Sequence, residues 1–303
     1  SNPLKEECEV QFRDWLQIGG TLTTEKVKKY FSDFEIVKFV SESHPAASLQ
    51  QILFAAKVTA LGVYADDFFD DRCGIESIME TVEKFKAFER GEKIEPENLF
   101  EVLVKDIYSE SLAILDENQR TSLRRKCYYY VKSVQWQNKL KRRKRIPEIG
   151  EYMSLRAFSV TNDVSLELYE FIAGINLPLH VKCDQSIMNM NFLANQIVLI
   201  MNDLASLEAD VNSDFPANLV MSVKHTRKCT WQEAADEVHQ TFLESIDEFK
   251  CWEKLVTKFY DQEIDSKVNE YIFLLKNFVN ANIHLHYNTK HYSFKSEHVL
   301  KLE

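Results

Sequence analysis

The chain has 303 residues, 45% of them hydrophobic, and a formal net charge of −10, which excludes a nucleic-acid binder because phosphate contacts need a basic surface. Only 7 glycines and 6 prolines interrupt it, too few for a β-rich fold of tight turns or for glycine-rich phosphate loops. Six scattered cysteines without a C-x-x-C pair fit reduced thiols in a reducing, cytoplasmic setting better than a zinc site or a disulfide frame. No apolar run approaches the roughly 18 residues of a membrane span, and Ser1 to Glu7 lacks the apolar core of a signal peptide. The 20 phenylalanines exceed what a helical bundle needs to fill space, so the rings are expected to line something.

Taken in order, residues 4–17 read as a short amphipathic helix and 24–40 as a broken segment. An apolar helix follows over 48–72, with Gly74 as its stop. Amphipathic helices are expected over 76–90 and 96–115, then a long one over 118–141 carrying Tyr128, Tyr129, Tyr130 and Trp136. The basic run Lys139–Arg145 reads as a solvated connection, since no aromatics interleave with it. Pro147 opens a helix holding Glu151, Tyr152 and Arg156. A short helix over 165–173 stops at Gly174, and a second central apolar helix is expected from Val181 to Asp210. The segment 215–227, with Pro216 in it, stays unassigned. Thr230 and Glu233 form a capping box for a helix over 231–258, and a last helix covers 262–288. No repeat, linker or strand pattern emerges. The expectation is one all-α domain over residues 1–303.

The first central helix closes on V-Y-A-D-D-F-F-D-D-R, Val63 to Arg72. Negative charge is poorly placed there, because the helix dipole disfavours anions at a C-terminus and carboxylates at i,i+4 repel. A solvated acidic helix end is the plain alternative; a site for hard divalent cations is the sharper one. Asp66 and Asp70 share a face, as do Asp67 and Asp71, and magnesium accepts one or two carboxylates beside water and phosphate oxygens. The second central helix ends on N-D-L-A-S-L-E-A-D, Asn202 to Asp210. Asn202, Ser206 and Asp210 drift by only about 40° per four-residue step and stay on one face. Amide, hydroxyl and carboxylate are hard oxygen ligands. Asp203 and Glu208 fall on other faces and read as solvated or structural.

Together these stretches resemble the paired metal motifs of class I terpene synthases of the microbial, single-domain kind. The resemblance extends to Pro147-Glu-Ile-Gly-Glu151-Tyr152-Met-Ser-Leu-Arg156, to Trp136, to Asn218-Leu-Val and to Thr230-Trp-Gln-Glu-Ala. It implies a helical bundle around a deep apolar cavity, with three magnesium ions on Asp66, Asp67, Asp70, Asn202, Ser206 and Asp210. Arg156 would be the diphosphate sensor, and Ser159 and Val160 the helix-break positions that reach substrate. Helical spacing nominates Thr59, Val63, Asn195 and Val198 as cavity wall, with ordinary core packing an equal alternative. The implied reaction ionises farnesyl or geranylgeranyl diphosphate and cyclises the cation to a sesqui- or diterpene, in a monomer or homodimer.

Two positions depart from the family pattern. Ala209 stands where a lysine is usual, and Lys290-His291-Tyr292 where an arginine–tyrosine pair is usual. Lys290, His291 and Tyr292 are expected to help hold diphosphate, and the departures point to a eukaryotic branch. Two other readings remain. A prenyl diphosphate synthase uses two aspartate-rich motifs, and the second motif here is not one. A non-catalytic cation-binding scaffold would not require Arg156, Asn202 and Ser206 together.

Overall fold

A computed structural model describes residues 1–18, 35–71, 75–159, 162–213 and 215–288, apart from the side chains of residues 18, 66, 67, 70, 71, 75, 76, 163, 169, 287 and 288. Among the described residues every regular element is a helix. In chain order they are α1 (Lys5–Ile18), α2 (Ile36–Ser43), α3 (Leu49–Asp71), α4 (Ile75–Glu89), α5 (Leu99–Ile114), α6 (Glu117–Arg143) and α7 (Ile149–Ser159). Then come α8 (Asn162–Ile172), α9 (Leu179–Lys182), α10 (Gln185–Asn212), α11 (Leu219–Arg227), α12 (Trp231–Leu255) and α13 (Gln262–Asn288). The helical reading holds, and no described helix is long and apolar enough to cross a membrane. The expected stop at Gly74, most of the segment 24–40, and Val160, Lys290, His291 and Tyr292 lie outside the described residues.

The chain separates into two compact units, Ser1–Asn138 with Asp163–Ala173, and Lys139–Asn162 with Gly174–Glu303. In the first, α1, α2 and α3 pack on one another and α3 packs on α5. Its core is aromatic. Phe100 meets Phe69 at 5.1 Å and Phe85 at 5.5 Å between ring centroids, and Phe88 meets Tyr108 edge-on at 4.9 Å. Such ring pairs are worth about 0.5–1.5 kcal/mol beyond their buried area. These phenylalanines therefore fill space, where the composition had suggested that rings line a site.

In the second unit α10 packs against α12, α13, α11 and α7. The second central helix is not continuous from Val181. The carboxylate of Asp184 accepts from the backbone N–H of Ser186 at 2.9 Å and of Ile187 at 3.4 Å. It thereby caps α10 and splits off the single turn α9. The unassigned segment becomes helical at Leu219 for the same kind of reason, since Asn218 accepts from the N–H of Val220 at 3.0 Å. Thr230 and Glu233 form the expected capping box on α12. Gly174 follows α8 with a φ of +67°, the left-handed turn that glycine adopts at least cost.

Candidate active site

The end of α3 carries the first acidic motif. Phe69 is 3% exposed and touches Phe100 and Tyr130, while Phe68 stacks on Phe100 at 5.9 Å. These two rings stand between Asp67 and Asp70 in sequence, so their packing fixes the register of the helix turns that carry Asp66, Asp67 and Asp70. The helix continues to Asp71.

The second motif is a hydrogen-bonded network built on α7, α10 and the start of α11. Arg156, 8% exposed, donates from Nη2 to Asn202 Oδ1 at 3.0 Å and to Asp203 Oδ1 at 3.3 Å. From Nη1 it donates to Ser159 Oγ at 2.9 Å, and the Ser159 hydroxyl in turn donates to the Arg156 carbonyl at 3.0 Å. The Phe215 ring lies 5.9 Å from the guanidinium, within cation–π range. One turn along α10, Ser206 Oγ donates to Asp210 Oδ2 at 2.7 Å. The same oxygen accepts from Asn218 Nδ2 at 2.8 Å. Burial pushes the Asp210 carboxyl up to about 6, against the pull of its Ser206 and Asn218 hydrogen bonds.

Arg156, Ser159, Asn202, Ser206 and Asp210 are thus brought together from positions far apart in sequence. Two further residues belong to the network without having been singled out as site residues. Asp203 is fully buried, takes hydrogen bonds from Arg156, Tyr152 and the Leu219 N–H, and is structural, never solvated. Asn218 joins the carbonyl of Asp203 to the carboxylate of Asp210. The signal for Asp203 was present: an aspartate beside Asn202 in an apolar helix needs a buried cation, and Arg156 is the arginine the same motif supplies. Of the wall candidates, Val198 is 2% exposed, Thr59 donates its hydroxyl to the Ala55 carbonyl at 2.9 Å, and the Asn195 carbonyl accepts from Asn162 at 3.4 Å.

Among the described residues no three His, Cys, Asp or Glu side chains gather as a metal centre. The α10 donors are instead an amide oxygen, a hydroxyl and one half-buried carboxylate, one helical turn apart. That set suits a hard cation of magnesium's type and does not suit zinc or copper.

The all-α fold, the aspartate-bearing helix end and the arginine-linked amide–hydroxyl–carboxylate ladder define a class I terpene synthase. A family model described as terpene synthase family 2, C-terminal metal binding, matches residues 57–248, and the chain belongs to that family. It is 24% identical over 190 residues to sesquiterpene synthase Agr3 of Cyclocybe aegerita, covering 63% of this chain and about half (53%) of that protein. It is 22% identical over 255 residues to sesquiterpene synthase 6 of Postia placenta, covering 83% of this chain and 74% of that one. The crystal structure of germacradien-4-ol synthase from Streptomyces citricolor superposes with a TM-score of 0.82 at 19% identity, over 94% of each chain. Relatives thus come from fungi and bacteria alike.

Proposed function

We infer that the chain is a magnesium-dependent terpene cyclase that ionises an acyclic prenyl diphosphate and cyclises the resulting cation with release of diphosphate. The observation that carries this reading is the hydrogen bond from Arg156 to Asn202, which joins a phosphate-binding cation to the oxygen donors of the second motif. Asp66, Asp67 and Asp70 of the first motif and Asn202, Ser206 and Asp210 of the second would hold the ions, three by resemblance to the family. Magnesium, when bound, supplies the positive charge that polarises the leaving group. Arg156 offers its guanidinium to the diphosphate oxygens, and Ser159, on the last turn of α7, holds that guanidinium in plane. Asp203 keeps Arg156 from swinging away. The raised Asp210 carboxyl is a group whose half-buried charge a cation would relieve.

The cation left after ionisation needs a dry wall of low nucleophilicity, since water would quench it. Buried Val198 and the internally bonded Thr59 hydroxyl suit such a wall, as do Val63 and Asn195 by spacing. Fifteen carbons is the favoured substrate length, because the relatives in fungi are named sesquiterpene synthases; geranylgeranyl diphosphate is the longer alternative. The test is incubation with ten-, fifteen- and twenty-carbon prenyl diphosphates and magnesium, with diphosphate assayed and extracts resolved by gas chromatography–mass spectrometry. A cyclic fifteen-carbon product that disappears in EDTA and returns with magnesium is expected. Absence of diphosphate release from every substrate, or full turnover in EDTA, overturns the reading.

A further inference from the structure

His286 lies near the end of α13 and is 3% exposed. Its Nδ1 sits 2.6 Å from the carbonyl oxygen of Asn282. A carbonyl only accepts, so Nδ1 carries a hydrogen, and in the neutral ring Nε2 is then the acceptor. Nε2 lies 3.4 Å from Nδ2 of Asn202. On the other side of the same amide, Arg156 Nη2 donates to Oδ1 at 3.0 Å. Asn202 is therefore held between a group that can only donate and a ring nitrogen that, in this tautomer, can only accept.

We propose that His286 is a positioning residue for Asn202, fixing the amide so that its oxygen, and never its nitrogen, is presented as a magnesium ligand. The contact at 3.4 Å is long, and its value lies in sign more than in strength. Turning the amide over would set NH2 against the guanidinium and oxygen against the Nε2 lone pair, two repulsive contacts in place of two attractive ones. Only Oδ1 of Asn202 can ligate magnesium, so the orientation decides whether the side chain is a ligand at all. Partners that orient a ligand in this way are worth about ten- to a hundredfold in metal affinity. The proposal rests on the cyclase reading for the identity of the bound species.

The experiment compares His286→Phe, which keeps a ring but removes the acceptor, with His286→Gln, whose amide oxygen restores one. Calorimetric titration of magnesium with inorganic diphosphate into each protein reads the site without turnover. His286→Phe should weaken binding about tenfold or more, and His286→Gln should recover most of that loss. Wild-type affinity in His286→Phe, or equal losses in both variants, overturns the proposal and assigns His286 to packing alone. If the wild-type protein itself takes up no magnesium diphosphate, the cyclase reading fails. A double-mutant cycle of His286→Phe with Asn202→Ala in the apo protein, by denaturant unfolding, then decides the orientation. A favourable coupling between the two sites sustains it, and none removes it.

Discussion

Tyr152 donates its phenolic hydrogen to the carboxylate of Asp203, and both side chains are fully buried. Burial pushes the Asp203 carboxyl up and the Tyr152 phenol well up, while Arg156 pulls both down. Asp203 thus stands between a neutral donor and a cation, and the two partners should be separable by stability. Tyr152→Phe removes one hydrogen bond and leaves the carboxylate with Arg156 and the Leu219 N–H; a loss of about 1–2 kcal/mol is expected. Asp203→Ala strips the buried guanidinium of its ion-pair partner and should cost about 3–5 kcal/mol. Denaturant melts of the two variants make the comparison. A loss in Asp203→Ala no larger than in Tyr152→Phe would mean that Arg156 finds its countercharge elsewhere.

This network also marks the limit of what the sequence makes legible. Helices α6 and α13 are long, apolar on one face and free of proline, so their periodicity locates them, α13 running over 262–288 as expected, while α3 is located by its unbroken apolar run. The ladder Asn202, Ser206, Asp210 is equally plain, because spacing along one helix is a local property. The break at Cys183–Asp184 is less so, since an aspartate in an apolar stretch signals a cap only once its side chain is known to turn back on Ser186 and Ile187. Asp203 and Asn218 escape the reading for a different reason. Their roles depend on α7 and α11 approaching α10, and no helical period encodes that approach. Asn218 was visible as a landmark, and its hold on Asp210 was not.

His44 gives the fold a pH dependence of definite sign. It is 4% exposed at the end of α2, its Nδ1 lies 3.0 Å from the Val40 carbonyl, and its own carbonyl accepts from Asn2 at 2.9 Å. Burial pushes its pKa down from 6.5 to about 4. Between those values the unfolded chain binds a proton that the folded chain refuses, so stability is full above pH 6.5 and falls as the pH drops toward 4. From pH 7 to pH 5 the loss from this one group is about 2 kcal/mol. Unfolding free energies of the wild type and His44→Leu, measured at both values, isolate it, because Asp210 and other titrating groups are common to both proteins. The variant should lose about 2 kcal/mol less over the interval; parallel losses would show that His44 charges freely in the fold.

The last expectation concerns the diphosphate's cationic partners. On the proposed cyclase reading, with Ala209 in place of a lysine and no arginine before Tyr292, the leaving group would lack two of the positive charges usual in the family, and Arg156 already shares its donors with Asn202, Asp203 and Ser159. An under-neutralised diphosphate departs slowly, so a replacement cation is required. Lys290 and His291 stand nearest in sequence to the missing arginine, with Tyr292 able to donate a hydrogen bond. Lysine carries its charge at neutral pH on a flexible stem, whereas histidine is charged there only in part. Lys290→Ala should therefore lower turnover about ten- to a hundredfold, the 1.4–2.8 kcal/mol of one charge-assisted contact, and His291→Ala by less. Steady-state diphosphate release from farnesyl diphosphate at saturating magnesium reads both. Unchanged turnover in both variants would move the role to Lys224, which lies 4.9 Å from the Trp231 ring, or to Arg227, which pairs with Glu237 at 3.2 Å.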